Sequence, residues 1–151
     1  MNEILLKQTQ VLLEESDLLA SLCNVVAFLY EETKDINWLG LYFYKNDELV
    51  LGPFQGKVAC THIELGKGVC GTSFKEKKLL NVPDVHKFPG HIACDSASNS
   101  ELVIPLFYEN KGFGVLDIDS TSFAKFNAED EENFKAIADL IAKKIFSAQI
   151  G

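Results

Sequence analysis

The hydrophobic period of this chain changes twice, and that change constrains its fold more than any other feature. Leu18, Leu19, Leu22, Cys23, Val26, Leu29 and Tyr30 recur at spacings of three and four, an apolar stripe on one helix face. The whole of residues 2–33 reads as helix, broken near Ser16-Asp17, a good capping pair. After it the segments "NWLGLYFYKNDELVLGPFQG" hold two short strands joined by a polar turn at Lys45-Asn46-Asp47. "ACTHIEL" reads as a third strand, followed by the Gly-rich "GKGVCGTSFKEKK", and "LLNVPDV" as a short extended piece. "ELVIPLFYENKGFGVLDIDS" is the clearest hairpin, two β-rich runs around Glu109-Asn110-Lys111-Gly112, with Asn and Gly supplying the turn.

From Asn127 the helical period returns. Phe134, Ile137, Ala138, Ile141 and Ile145 form the buried stripe of a last helix. Its acids, Glu129 to Glu132, sit at the positive end of the helix dipole, with Lys143 and Lys144 near the negative end. Helices, then five or six hairpin-connected strands, then a helix make an α+β domain with a mainly antiparallel sheet.

The 151 residues, 47% hydrophobic and 24% charged, fit a single domain over 1–151. At this length folding buries roughly 70% of the unfolded chain's surface, enough for a core without metal or disulfide staples. The net charge of −8 argues against DNA, RNA or an anionic membrane as partner and disfavours a highly phosphorylated ligand. An ammonium group would be welcome. "MNEILLKQTQVLLEE" has no basic start and only a short apolar run, so it does not read as a signal peptide. No stretch approaches the ~18 apolar residues of a membrane span. The expected location is the cytoplasm, where the four cysteines are thiols at rest.

Cys23 lies on the stripe of its helix and reads as a small core hydrophobe. Cys60, Cys70 and Cys94 fall at loops or strand edges, where side chains tend to be reachable. Cys94 is the most telling, set in the polar loop "FPGHIACDSASNSE". A thiol placed for packing is normally buried, whereas one placed for chemistry needs access and neighbours that control its proton. "GKGVCG" matches G-x-G-x-x-G, but its flanks suggest antiparallel strands rather than a parallel βαβ unit. Its glycines read better as a tight turn that brings two segments close. His62, His86 and His91 with the loop cysteines lack the paired C-x-x-C units of a structural zinc site, so no metal is expected. His91 fits better as an organiser of its loop or a modulator of Cys94.

Asp117 and Asp119 are two apart on a strand and project from one face, with Phe113 and Val115 preceding them there. Two carboxylates so placed raise each other's pKa, and one can hold a proton at neutral pH; equally, they could simply mark the solvated end of the strand. Glu101, on the partner strand of the hairpin, is a third acid within reach. An accessible thiol beside protonatable acids suggests redox or acyl-transfer chemistry. Trp38 and Tyr42 share one face of the first strand, where they either pack a core or wall a small pocket.

The blocks "INWLGLYFY", "LVLGPFQGKVACTHIELGKGVCG", "VPDVHKFPGHIACDSASNSELVIPL" and "GVLDIDS" closely resemble the free methionine-(R)-sulfoxide reductases, a family built on the GAF fold. The resemblance implies a six-stranded antiparallel sheet with the terminal helices on one face and a small ligand pocket on the other. It implies that Cys94 is the nucleophile, Cys60 the resolving thiol and Cys70 a third redox-active or auxiliary one. It places Glu101, Asp117 and Asp119 around the sulfoxide and Trp38 and Tyr42 near the methyl end. It implies turnover without a bound cofactor, with thioredoxin or another dithiol as reductant. A homodimer is compatible with the sequence but not fixed by it. The rival reading is a GAF domain that senses a small molecule or a redox signal without turnover, since a fold alone does not set function.

Overall fold

The computed structural model describes residues 1–90 and 97–150. The N-terminal helical stretch divides at the expected place. Helix α1 (Glu3–Leu12) is capped by Asn2, and α2 (Leu18–Glu32) by Asp17, whose carboxylate accepts the Ala20 N–H at 2.9 Å. The buried face of α2 is Leu22, Val25, Val26 and Leu29. Cys23, one residue round from Leu22, is exposed, and so is Leu19. The expectation of a core cysteine at 23 is therefore overturned, because the sheet lies against a face centred on Leu22 and Val26.

Strands β1 (Trp38–Lys45) and β2 (Glu48–Gly56) are joined through Asn46 and Asp47, with φ of +52° and +64°. Two consecutive left-handed residues are the loop that matches the natural twist of a hairpin. Strand β3 (His62–Glu64) is shorter than "ACTHIEL" suggests, because β2 bulges at Gly52–Pro53 opposite the earlier residues. Helix α3 (Gly68–Glu76) begins inside "GKGVCG", so Cys70 lies on a helix and is buried, not at a reachable loop as the sequence suggested. The close-approach reading of the glycines holds: a Cβ on Gly71 would run into the Glu64 carbonyl oxygen. Strand β4 (Leu80–Val82), β5 (Ser100–Tyr108), β6 (Lys111–Ser120) and helix α4 (Ala128–Ile150) complete the order. Asn127 and Asp130 exchange side-chain to backbone bonds of 2.9 Å at the start of α4. No helix among the described residues is long and apolar enough to cross a membrane.

The six strands form one sheet in the order β3-β2-β1-β6-β5-β4, every neighbouring pair antiparallel. Alternation then divides the side chains. Leu39 and Leu41 of β1, Leu102, Ile104 and Leu106 of β5, and Leu116 and Ile118 of β6 meet α1, α2 and α4 in the larger core. All five stripe residues predicted for α4 are buried there. The opposite face carries Trp38, Tyr42, Val103 and Val115, with Val69, Cys70 and Phe74 of α3 packed over them.

The β5–β6 hairpin corrects two expectations. Its loop is Glu109-Asn110 alone, both left-handed, and Gly112 already pairs with Phe107. Between that pair and Leu106–Gly114, Phe113 is an extra residue, a β-bulge. Phe113 consequently joins the helix-side core instead of preceding Val115 on the other face. Gly114 has φ +145°, and a Cβ there would strike the Tyr42 carbonyl, so the bulge requires glycine.

Candidate active site

Three strands supply the site in register. Trp38, Asp119 and Glu101 lie in one row across β1, β6 and β5, and Gly40, Asp117 and Val103 lie in the next. A third row holds Tyr42, Val115 and Pro105. The two aspartates thus share the face the period of two predicts, and Glu101 sits directly opposite Asp119.

Both Asp117 (5% exposed) and Glu101 (9%) are buried. Cys70 descends on them from α3, its Sγ 3.8 Å from Glu101 Oε2. Burial, and then the charge of Asp117, push the Glu101 carboxyl well above the usual carboxyl range. Burial, and then Asp119, do the same to Asp117. Burial and the adjacent acids also push the Cys70 thiol up, so it stays neutral at pH 7 and can donate to a carboxylate. Asp117 Oδ1 is buried with no hydrogen-bond partner among the described residues. An orphaned acceptor of this kind is costly unless a ligand group meets it.

An aromatic wall bounds the acids. Trp38 stacks on Tyr42 at 5.9 Å and on Phe54 at 5.3 Å between ring centroids. Gly40, between Trp38 and Tyr42, makes room for this: a Cβ there would lie 2.6 Å from the Trp38 ring. The indole Nε1 donates to the Lys57 carbonyl at 3.0 Å, and the Tyr42 hydroxyl donates to the Cys60 carbonyl at 3.0 Å. Burial, followed by the Asp117 charge, raises the Tyr42 pKa far beyond its ordinary value, leaving the phenol a permanent donor. The wall and the segment carrying Cys60 are thereby tied together.

Cys60 is held in a disulfide, whereas Cys23 and Cys70 are free thiols. Cys94 and His91 lie outside the described residues. His62 is on β3 with Nδ1 3.1 Å from Glu48, and His86 Nε2 is 3.0 Å from Asn99. Neither of these contacts involves a cysteine. Among the described residues the metal-ligating types that converge are Cys70, Glu101 and Asp117, whose ligand atoms lie within 4.8 Å of one another. Sequence reasoning missed Gly40 and Phe54. A glycine between two large aromatics in a strand was the available signal, since only a ring lying across the strand needs that gap.

The chain matches the GAF domain family over residues 9–145. Over 145 residues it is 50% identical to the free methionine-R-sulfoxide reductase of Escherichia coli (strain K12), covering 91% of this chain and 88% of that protein. The reduced form of the Staphylococcus aureus fRMsr superposes with a TM-score of 0.90 at 46% identity, covering 95% of this chain and 94% of that one. The free methionine-R-sulfoxide reductase of Neisseria meningitidis, solved in complex with its substrate, gives a TM-score of 0.91 at 40% identity, covering 96% and 88% of the two chains.

Proposed function

The chain belongs to the free methionine-(R)-sulfoxide reductases, oxidoreductases built on the GAF fold, and from that premise we propose that it reduces free L-methionine-(R)-sulfoxide to L-methionine. The observation that carries the proposal is the buried pair Glu101 and Asp117, two carboxyls that burial makes hold their protons more tightly than an exposed acid does, beside an aromatic wall. Breaking a sulfoxide S–O bond requires a proton on the oxygen, and an ordinary carboxylate has none to give at pH 7. The unpartnered Asp117 Oδ1 is a natural contact for the substrate's polar group.

In this reading the Cys94 thiolate attacks the sulfoxide sulfur while the Glu101, Asp117 and Asp119 cluster protonates the oxygen. The net step transfers one oxygen: methionine sulfoxide and a thiol become methionine and a Cys94 sulfenic acid. The Cys60 thiol then condenses with the sulfenic acid, forming a disulfide and releasing water, which prevents over-oxidation. The disulfide-bonded state of Cys60 and the free, buried state of Cys70 favour Cys60 as resolving thiol. Cys70 then serves as the auxiliary group that donates to Glu101. Two exchange steps with an external dithiol, thioredoxin, restore both thiols. Electrons come from that dithiol and no bound cofactor is required. A reaction of this kind belongs in a reducing compartment, the cytoplasm. The acidic chain draws the substrate's ammonium, and Trp38 and Tyr42 enclose the methyl end.

The deciding experiment measures methionine release from the separate R and S epimers of free methionine sulfoxide with dithiothreitol, wild type beside Cys94→Ser. The expected result is many turnovers on the R epimer alone, abolished in the variant. No methionine from either epimer, with folded and reduced protein, would leave a non-catalytic GAF sensor as the better account.

A further inference from the structure

Three side chains from separate elements meet beneath α3. Cys70 comes from the first turn of that helix, Glu101 from β5 and Asp117 from β6, and their ligand atoms lie within 4.8 Å of one another. None of the three is more than 9% exposed. Cys70 is held over the acids by its neighbour: Gly71 presses against the Glu64 carbonyl, and its own carbonyl accepts the Gly66 N–H at 2.9 Å. Asp117 Oδ1, inside the cluster, is the buried acceptor without a hydrogen-bond partner among the described residues.

The charges acting most strongly on these groups are one another's and that of Asp119, all negative. A buried set of acids relieves such repulsion by holding protons or by taking up a cation. The first state is the one the reductase chemistry uses. The second has suitable donors here, because a thiolate in the first turn of a helix is favoured by the helix dipole.

We propose that Cys70, Glu101 and Asp117 form a binding site for a single zinc ion, which enters in exchange for the protons these groups hold. One thiolate with two carboxylates is a mixed sulfur and oxygen set, which suits zinc, whereas calcium and magnesium take oxygen alone. Tetrahedral bonds of about 2.3 Å to sulfur and about 2.0–2.2 Å to oxygen place donor atoms roughly 3.5 Å apart. The Cys70 Sγ to Glu101 Oε2 distance of 3.8 Å is already close to that spacing. Three protein ligands leave a fourth position for water or another ligand. No histidine takes part, and Cys70 alone is shared with the histidine–cysteine constellation that spacing argues against. The inference goes beyond the reductase reading, since the site binds metal whether or not the chain turns over. In a reductase the ion would replace the very protons that Glu101 and Asp117 donate, so zinc acts as an inhibitor and not as a cofactor.

The test equilibrates the full chain, in its disulfide form, with cobalt(II) as a spectroscopic substitute for zinc. Wild type and Cys23→Ser should each take up one ion and show a cobalt–thiolate charge-transfer band, which added zinc bleaches by displacement. Cys70→Ser should lack the band. Glu101→Gln and Asp117→Asn should keep it, with cobalt affinity lowered by about tenfold or more. X-ray absorption of zinc-loaded wild type, which depends on no variant folding, should find one sulfur at about 2.3 Å, oxygens at about 2.0–2.2 Å and no imidazole. The proposal is overturned by absence of the band in wild type, by its persistence in Cys70→Ser, by unchanged affinity in both carboxyl variants, or by a zinc shell without sulfur. None of these readouts involves turnover. A chain that released no methionine would therefore fail the reductase reading and leave this inference standing.

Discussion

The two faces of one sheet are built from the same strands and do opposite work. On the helix side, Leu39, Leu102, Leu116 and Ile118 are fully buried among aliphatic and aromatic neighbours, with nothing to titrate. On the other side, one residue away along the same strands, Trp38, Glu101 and Asp117 are almost as deeply buried, yet they carry ionisable or polar atoms. Burial stabilises the first set. In the second, burial is the largest cause of the raised carboxyl and thiol pKa values, so the free-energy cost of dehydrating an acid appears as a tighter hold on its proton. A fold can make chemistry and stability with one alternation, provided the larger core compensates for the strain of the smaller.

Substitutions on adjacent residues of β6 test that division. Asp117→Asn should lower the rate of methionine formation by about 10²–10⁴-fold, the range expected for removing a general acid, while thermal stability holds or rises. Ile118→Ala, facing the helices, should do the reverse: about 2–5 kcal/mol lost in denaturant unfolding, with near-normal turnover in the protein that remains folded. Comparable effects of both on both readouts would erase the distinction between the faces. The pH dependence sharpens it. Glu101 and Asp117 bind protons more tightly folded than unfolded, so stability should fall as pH rises above about 4, towards their raised values, by at most about 1.4 kcal/mol per pH unit for each group. Glu101→Gln with Asp117→Asn should flatten that slope, measured as chemical-denaturation stability across pH. The smallest contrast concerns the two free cysteines. Cys70→Ser, losing the thiol beside Glu101, should slow turnover several-fold, whereas Cys23→Ser on the exposed side of α2 should change stability by less than about 0.5 kcal/mol and leave the rate unaltered.

Much of this geometry is legible in the alternation of residues. The spacing of Asp117 and Asp119, the stripe of α4, the Asp17 cap and the hairpin partnership of Glu101 are all local patterns, and the fold honours them. The departures are long-range. Cys23 sits near the apolar stripe of α2, and only the placement of the sheet decides that it faces water. Cys70 follows two glycines and reads as loop, but α3 starts at Gly68 because Gly71 can press against the Glu64 carbonyl. Gly40 acquires its meaning from the Trp38 ring lying across it. None of these contacts leaves a periodic trace in the sequence.

The bulge at Phe113 gives the site a property best stated as parity. Counted evenly from the turn, Gly112, Gly114, Leu116 and Ile118 would share one face, and Asp117 and Asp119 would be sunk among the helices. Placing Phe113 and Gly114 on the same side cancels one residue of the count. A chain one residue shorter here, with a regular hairpin, would present the same acids to the same side. A chain that kept the residue but could not adopt the Gly114 conformation would offer leucine and isoleucine in their place. Which side the acids of this strand face is therefore decided modulo two, at a glycine three residues before the first acid.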